Sequence, residues 1–146
     1  MGTSFILFSP PSSAKDKFRE NVNLLIQDLS GYDMDLDAYV ELSESQIKTM
    51  VTDGKIIESV RNTAAPHHFQ KMIYTGTQGI FKVKFEQYYW VIEDEAIILT
   101  LTCEAKEFKD FKDTGEKILN SFKLKLDWPY TEQELLNLDE LAVLVA

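Results

Sequence analysis

The chain of 146 residues, 45% hydrophobic and 12% aromatic, carries enough apolar material for one core of ordinary single-domain size. Its 24 acidic residues against 15 basic ones leave a formal charge of -9, and like-charge repulsion then argues against nucleic acid and anionic membrane surfaces as partners. No run approaches the ~20 apolar residues of a bilayer-spanning helix, so direct membrane insertion is not expected either.

MGTSFILFSPP lacks the basic start, apolar middle and small-residue cleavage site of a signal peptide. The expected location is the cytoplasm, or the cell envelope or periplasm if a leader has been removed. SFILF, stopped by Pro10 and Pro11, reads as a first strand, because proline lacks the N–H that a central strand donates. In NVNLLIQDL, residues 21 to 29, Val22, Leu24 and Ile26 share one face and Leu25 and Leu29 the other, the pattern of a strand covered on both sides. After Gly31, residues Leu36, Tyr39, Val40, Ser43, Ile47, Met50 and Val51 recur at three- and four-residue spacing and predict an amphipathic helix that Gly54 helps to end.

Four extended segments follow: KIIESVRNTA, FQKMIYTGT, GIFKVKFEQYYWVI and AIILTLTCEA. In the third, Phe81, Val83 and Phe85 alternate with Lys82, Lys84 and Glu86; in the fourth, Ile97, Leu99, Leu101 and Cys103 form one face. The connections at Gly76 to Gly79 and at Glu93-Asp94-Glu95 suit antiparallel hairpins. A second helix puts Phe108, Phe111, Gly115, Ile118, Leu119 and Phe122 on one stripe, with Lys109, Asp110, Lys112, Asp113, Glu116 and Lys117 turned outward. Finally, Trp128-Pro129-Tyr130 leads into Thr131-Glu132-Gln133-Glu134, a capping-box pattern opening a short helix with Leu135, Leu138, Leu141 and Ala142. The order predicts an α+β fold with a mostly antiparallel sheet of about six strands flanked by helices. It implies a domain over residues 1–126 and a helical tail over 127–146, packed on the domain or on a partner.

Asp33, Asp35, Asp37 and Glu44 fall on positions one, three, five and twelve of a calcium-binding loop. Position six, where that loop turns sharply on glycine, is Ala38, and Leu36, Tyr39 and Val40 already keep helical spacing. The better reading is that Asp33 or Asp35 caps the helix and the neighbouring acids meet its positive end. His67 and His68 follow Pro66; in an extended segment they point apart, and a zinc site would have to recruit scattered carboxylates. Cys103, the single cysteine, sits in an apolar strand where a thiol acts as a small hydrophobe rather than a nucleophile. No glycine-rich phosphate loop and no nucleophile elbow is present, so neither catalytic residues, nor a metal, nor a cofactor is expected. Tyr88-Tyr89-Trp90 remains: alternation sends Tyr88 and Trp90 to one face, either as core beneath a helix or as a docking surface.

ENVNLLIQD at 20 to 28, DLDAYVELSESQIK at 35 to 48, the paired strands from Gly79 to Ala105, and FKDFKDTGEKILNSFK at 108 to 123 together resemble the PsbP-like and DcrB-like superfamily. Its fold is shared by the yeast Ran-binding nuclear import factor. The resemblance spans most of the chain from Phe5 to Lys123 and implies an α/β/α sandwich. It also implies a noncatalytic role, since members serve as an extrinsic photosystem subunit, a GTPase-binding factor, envelope proteins or chaperones. The tail after Lys125 departs from the usual ending. The resulting expectation is a noncatalytic, acidic and bacterial protein-binding or accessory domain, with chaperone-like gripping of client helices as a specialised form. Its docking candidates are Tyr88, Trp90, Trp128, Leu135 and Leu138, and the tail offers a route to self-association. The competing expectation is a small-molecule or metal-binding protein, or a hydrolase with an unrecognised carboxylate site.

Overall fold

The computed structural model of the chain describes residues 2–10 and 13–122. The expected tail helix, with Trp128, Leu135 and Leu138, lies outside the described residues. In chain order the elements are β1 (Gly2–Phe8), β2 (Asn21–Asp28), α1 (Leu36–Met50), β3 (Lys55–Asn62), β4 (Phe69–Gln78), β5 (Phe81–Ile92), β6 (Glu95–Glu104) and α2 (Phe108–Ser121). The six strands form one sheet in the order β1-β2-β6-β5-β4-β3, antiparallel at every pairing.

Two tight turns set the register of the central strands. Gln78 pairs with Phe81 across Gly79-Ile80, and Ile92 pairs with Glu95 across Glu93-Asp94. Glu93 and Asp94 both adopt positive φ, 49° and 63°, the conformation whose twist matches that of the flanking strands. Gly76, expected in the first turn, is instead a buried residue inside β4. A Cβ there would stand 2.5 Å from Val51 Cγ1, so a bare backbone is what lets the segment after α1 lie against the sheet.

Side chains alternate across the strands, and the sheet has a separate core on each face. On one face Val22, Leu24, Tyr88, Trp90, Ile97, Leu99, Leu101 and Cys103 pack with Phe108 and Leu119 of α2. On the other, Leu29, Met72, Tyr74, Tyr89, Ala96 and Ile98 pack with Tyr39, Val40 and Ile47 of α1. The helices therefore lie on opposite faces, giving the three layers expected. Each fully buried aliphatic or aromatic side chain contributes roughly 1.5–3 kcal/mol, so both helices are held by packing more than by helix propensity.

α1 begins at Asp35, whose carboxylate accepts the Ala38 N–H at 2.8 Å. Met50, counted in the apolar stripe, is 76% exposed. The helix ends there, and Val51, extended at ψ 124°, turns the chain back and packs on the core in its place. α2 keeps the predicted stripe: Phe108, Gly115 and Leu119 are buried, and Phe111, Ile118 and Phe122 pack on the same core. Among the described residues no helix is long and apolar enough to cross a membrane.

Candidate functional site

The two docking candidates within the described residues, Tyr88 and Trp90, stand next but one on β5 and face α2. They are 6% and 5% exposed, which makes them core residues first. They also form the floor of a cleft of about 490 Å³. Phe69, at the start of β4, stacks on Tyr88 with ring centres 4.7 Å apart and lies tilted 5.2 Å from Trp90. Phe122, just past the end of α2, approaches Trp90 at 5.6 Å. The Tyr88 hydroxyl donates to Asn120 Oδ1 at 3.1 Å, tying floor to wall. Burial above all, and then the charges of Glu86, Glu116 and Glu58, push this phenol up to about 12, so it remains a donor. Asn62, Ala65, Pro66 and His67 complete the opposite wall, giving an apolar floor with amide and imidazole groups at the rim.

His67 also borders a second cavity of about 450 Å³, together with His68, Asp35, Asp37 and Arg61. Residues 64–67 bend between β3 and β4 rather than running extended, and both histidines border this one cavity. The acids beside them are already engaged: Asp35 caps α1, and Asp37 accepts from Arg61 Nη2 at 2.6 Å. Arg61 Nε donates to Gln70 Oε1, Gln70 Nε2 to Ser59 Oγ, and Ser59 Oγ to Glu44 Oε1, a chain of bonds that holds α1 over β3 and β4. Among the described residues no group of three or more His, Cys, Asp or Glu is placed to hold a metal ion. The acidic stretch caps and fastens a helix.

Cys103 is fully buried, and desolvation, aided by nearby Glu20 and Glu86, pushes its thiol up to about 12. A thiol so placed is not a nucleophile at neutral pH. Glu86 is the surprise. Alternation puts it on the same face as Lys82 and Lys84, yet its side chain is 0% exposed. Burial first, and then the charge of Glu116 on α2, a residue expected to face solvent, raise the Glu86 carboxyl. The signal available in sequence was a lone acid two residues before Tyr88-Tyr89-Trp90 in a strand otherwise rich in apolar residues.

No protein-family model matches the sequence, and a search of curated proteins finds no relative. Solved structures do match. The crystal structure of PA94, a protein of unknown function from Pseudomonas aeruginosa proposed as a regulator, superposes with a TM-score of 0.75 at 13% identity, covering 87% of each chain. The solution structure of cyanobacterial PsbP from Synechocystis superposes with a TM-score of 0.57 at 11% identity, covering 84% of this chain and 83% of its own. The fold is thus PsbP-like, as the sequence resemblance implied, and neither structural neighbour is described as an enzyme.

Proposed function

We propose that this chain is a noncatalytic binding domain that receives an apolar segment of a partner protein in the cleft above Tyr88 and Trp90. The observation that supports the reading is the convergence of four aromatic rings, from β4, β5 and the end of α2, on one open apolar cleft. Aromatic rings offer large contact area with little entropy lost on binding, which is why they dominate protein interfaces. The full burial of Cys103 and Glu86 weighs against nucleophilic or acid-base chemistry at this cleft. A second reading, an apolar small molecule, is favoured by the cleft volume alone, which lies within the roughly 300–1,000 Å³ of small-molecule sites.

Truncating Tyr88 or Trp90 is a poor test, because core aromatics cost about 3–5 kcal/mol when cut to alanine and the fold would be lost with the site. The cleft is better filled from its rim. Ala65→Trp is expected to leave the melting curve unchanged and to abolish capture by a photoreactive benzoyl-phenylalanine placed at His67. A discrete protein adduct lost in Ala65→Trp supports protein docking, and a co-purifying small molecule lost in the same variant favours the second reading. Adducts that persist unchanged in Ala65→Trp would discard the cleft as the binding site.

A further inference from the structure

Charge is spread unevenly along the strands. β5 runs from the Gly79-Ile80 turn to the Glu93-Asp94 turn, so its 12 residues hold two poles of the molecule roughly 35 Å apart. At one pole β2 ends with Asp28 opposite Glu95, beside Glu93 and Asp94, and α1 starts among Asp33, Asp35 and Asp37, with Arg61 bonded to Asp37. At the other pole three segments flank the Gly79-Ile80 turn. The Thr77 N–H donates to Thr52 O beyond α1, the Ala105 N–H beyond β6 donates to Lys82 O, and the Phe18 ring packs on Phe81 at 5.2 Å. These segments and the turn bring together Lys15, Lys17, Lys48, Lys55, Lys82 and Lys106, all exposed. Lys106 pairs with Glu104 at 3.3 Å, and none of the other five pairs with an acid among the described residues. Asp16, Asp53 and Glu104 share this end but are turned to the Phe18 N–H, the Thr77 hydroxyl and Lys106; Glu107 heads α2. Among the cations stand the two most exposed large hydrophobic residues of the described chain, Ile80 at 87% and Met50 at 76%. Gly79 supplies the positive φ of the turn, 60°, so the turn itself does not call for an isoleucine beside it.

We propose that the Ile80 pole seats reversibly on an anionic lipid surface, with Ile80 and Met50 entering the headgroup layer and the lysines around them meeting lipid phosphates. The formal charge of -9 argues the other way, and distance decides between the two. At physiological salt a charge is screened beyond about 8 Å, so acids at the far pole, several screening lengths away, oppose the contact little. What remains of their repulsion turns that pole away from the membrane and so orients the molecule. Lysines held at the surface act at close range, and the two apolar side chains add a second, independent attraction; such paired signals are what peripheral binding requires. A soft interfacial layer also accepts an isoleucine on a two-residue turn without a pocket shaped to fit it. The aromatic cleft is separate, since Trp90 stands near the opposite end of β5, and the proposal does not depend on what that cleft binds.

The test is sedimentation of the full chain with vesicles of phosphatidylcholine containing about one-third phosphatidylglycerol, and with vesicles of phosphatidylcholine alone. Wild type should sediment with the anionic vesicles at about 0.05 M salt, be released as salt rises toward about 0.5 M, and stay in solution with the neutral ones. Ile80→Ser should lower the partition coefficient roughly tenfold, and Lys82→Gln about fivefold. Glu95→Gln, at the far pole, should leave it unchanged. Ile80, Lys82 and Glu95 are all exposed, so the three variants should melt as wild type does. Wild type that stays in solution with anionic vesicles at low salt would overturn the proposal. So would binding that is indifferent to Ile80→Ser, or binding that Glu95→Gln strengthens as much as Lys82→Gln weakens it, since net charge rather than this pole would then govern.

Discussion

Gly115 of α2 lies so close to Leu101 of β6 that a Cβ on the glycine would stand 2.3 Å from Leu101 Cδ2 and 3.1 Å from its Cγ. The whole isobutyl group is in the way, and Leu101 is 3% exposed with core on every side. Gly115→Ala should therefore destabilise the protein, since overpacking costs about 1–3 kcal/mol against a gain of roughly 1 kcal/mol in helix propensity. Gly115→Val, larger and β-branched, should cost more. Urea denaturation of the two variants checks the order, and a net gain in Gly115→Ala would show that α2 has room to rise.

The Asp35 cap has a measurable value. Asp35→Ala removes the acceptor of the Ala38 N–H and should cost about 1 kcal/mol, whereas Asp35→Asn should cost only a few tenths. Millimolar calcium should leave the wild-type melting temperature unmoved, because Asp35 and Asp37 are committed to the cap and to Arg61.

The sign of the pH dependence follows from Glu86. A carboxyl raised from 4.5 to about 6 binds more protons folded than unfolded, so stability is greatest at the acid end of that interval. It declines as pH rises from about 4.5 to about 6, by on the order of 1–2 kcal/mol, and then levels. Glu86→Gln should be more stable than wild type at pH 8 by a similar amount and closely match it near pH 4, in urea titrations at each pH. Glu20, raised by burial although it accepts the Glu104 N–H at 2.7 Å, leaves a residual slope of the same sign in the variant.

Cys103 should report unfolding. Its thiol is buried and pushed up to about 12, so a disulfide reagent at pH 8 should label it only as fast as the sheet opens. Labelling that accelerates with denaturant in parallel with loss of secondary structure is the expected result. Prompt labelling of native protein would place the thiol at the surface.

Tyr88→Phe isolates one hydroxyl. It removes the bond to Asn120 and should cost about 1 kcal/mol while keeping the ring stacked on Phe69. Binding at the cleft should survive this change and be lost in Ala65→Trp, a contrast that separates floor stability from occupancy.

Much of this fold was legible because side-chain direction in a strand is fixed by the backbone. Val22, Leu24 and Ile26 against Leu25, and Tyr88 and Trp90 against Tyr89, were assigned to opposite faces from alternation, and each lies where expected. The α2 stripe was equally plain, since period and amphipathicity agree there. What alternation does not tell is what stands above each face. Glu86 follows Lys82 and Lys84 and looks like a solvent position, yet α2 covers that end of the strand; the crossing of the helix, not the strand pattern, decides its burial. Gly76 failed for a related reason. Glycine signals a turn locally, but here it answers a contact with Val51, a residue remote in sequence. His67 and His68 reach one cavity because their loop bends, and no local signal fixed that bend.

The last strand of the sheet is laid in its middle. β6 fills the gap between β2 and β5, so β1 and β2 have no partner in the rest of the sheet until β6 arrives, with Asn21 finally opposite Thr102. On a ribosome the amino-terminal hairpin must wait, its inner edge bare, while α1 and the hairpin of β4 and β5 emerge. Such sequence-distant pairing slows assembly and leaves an adhesive margin open to neighbouring nascent chains. Vectorial synthesis thus makes arrival of the carboxyl-terminal half, rather than formation of either hairpin, the step that commits the molecule to its native state.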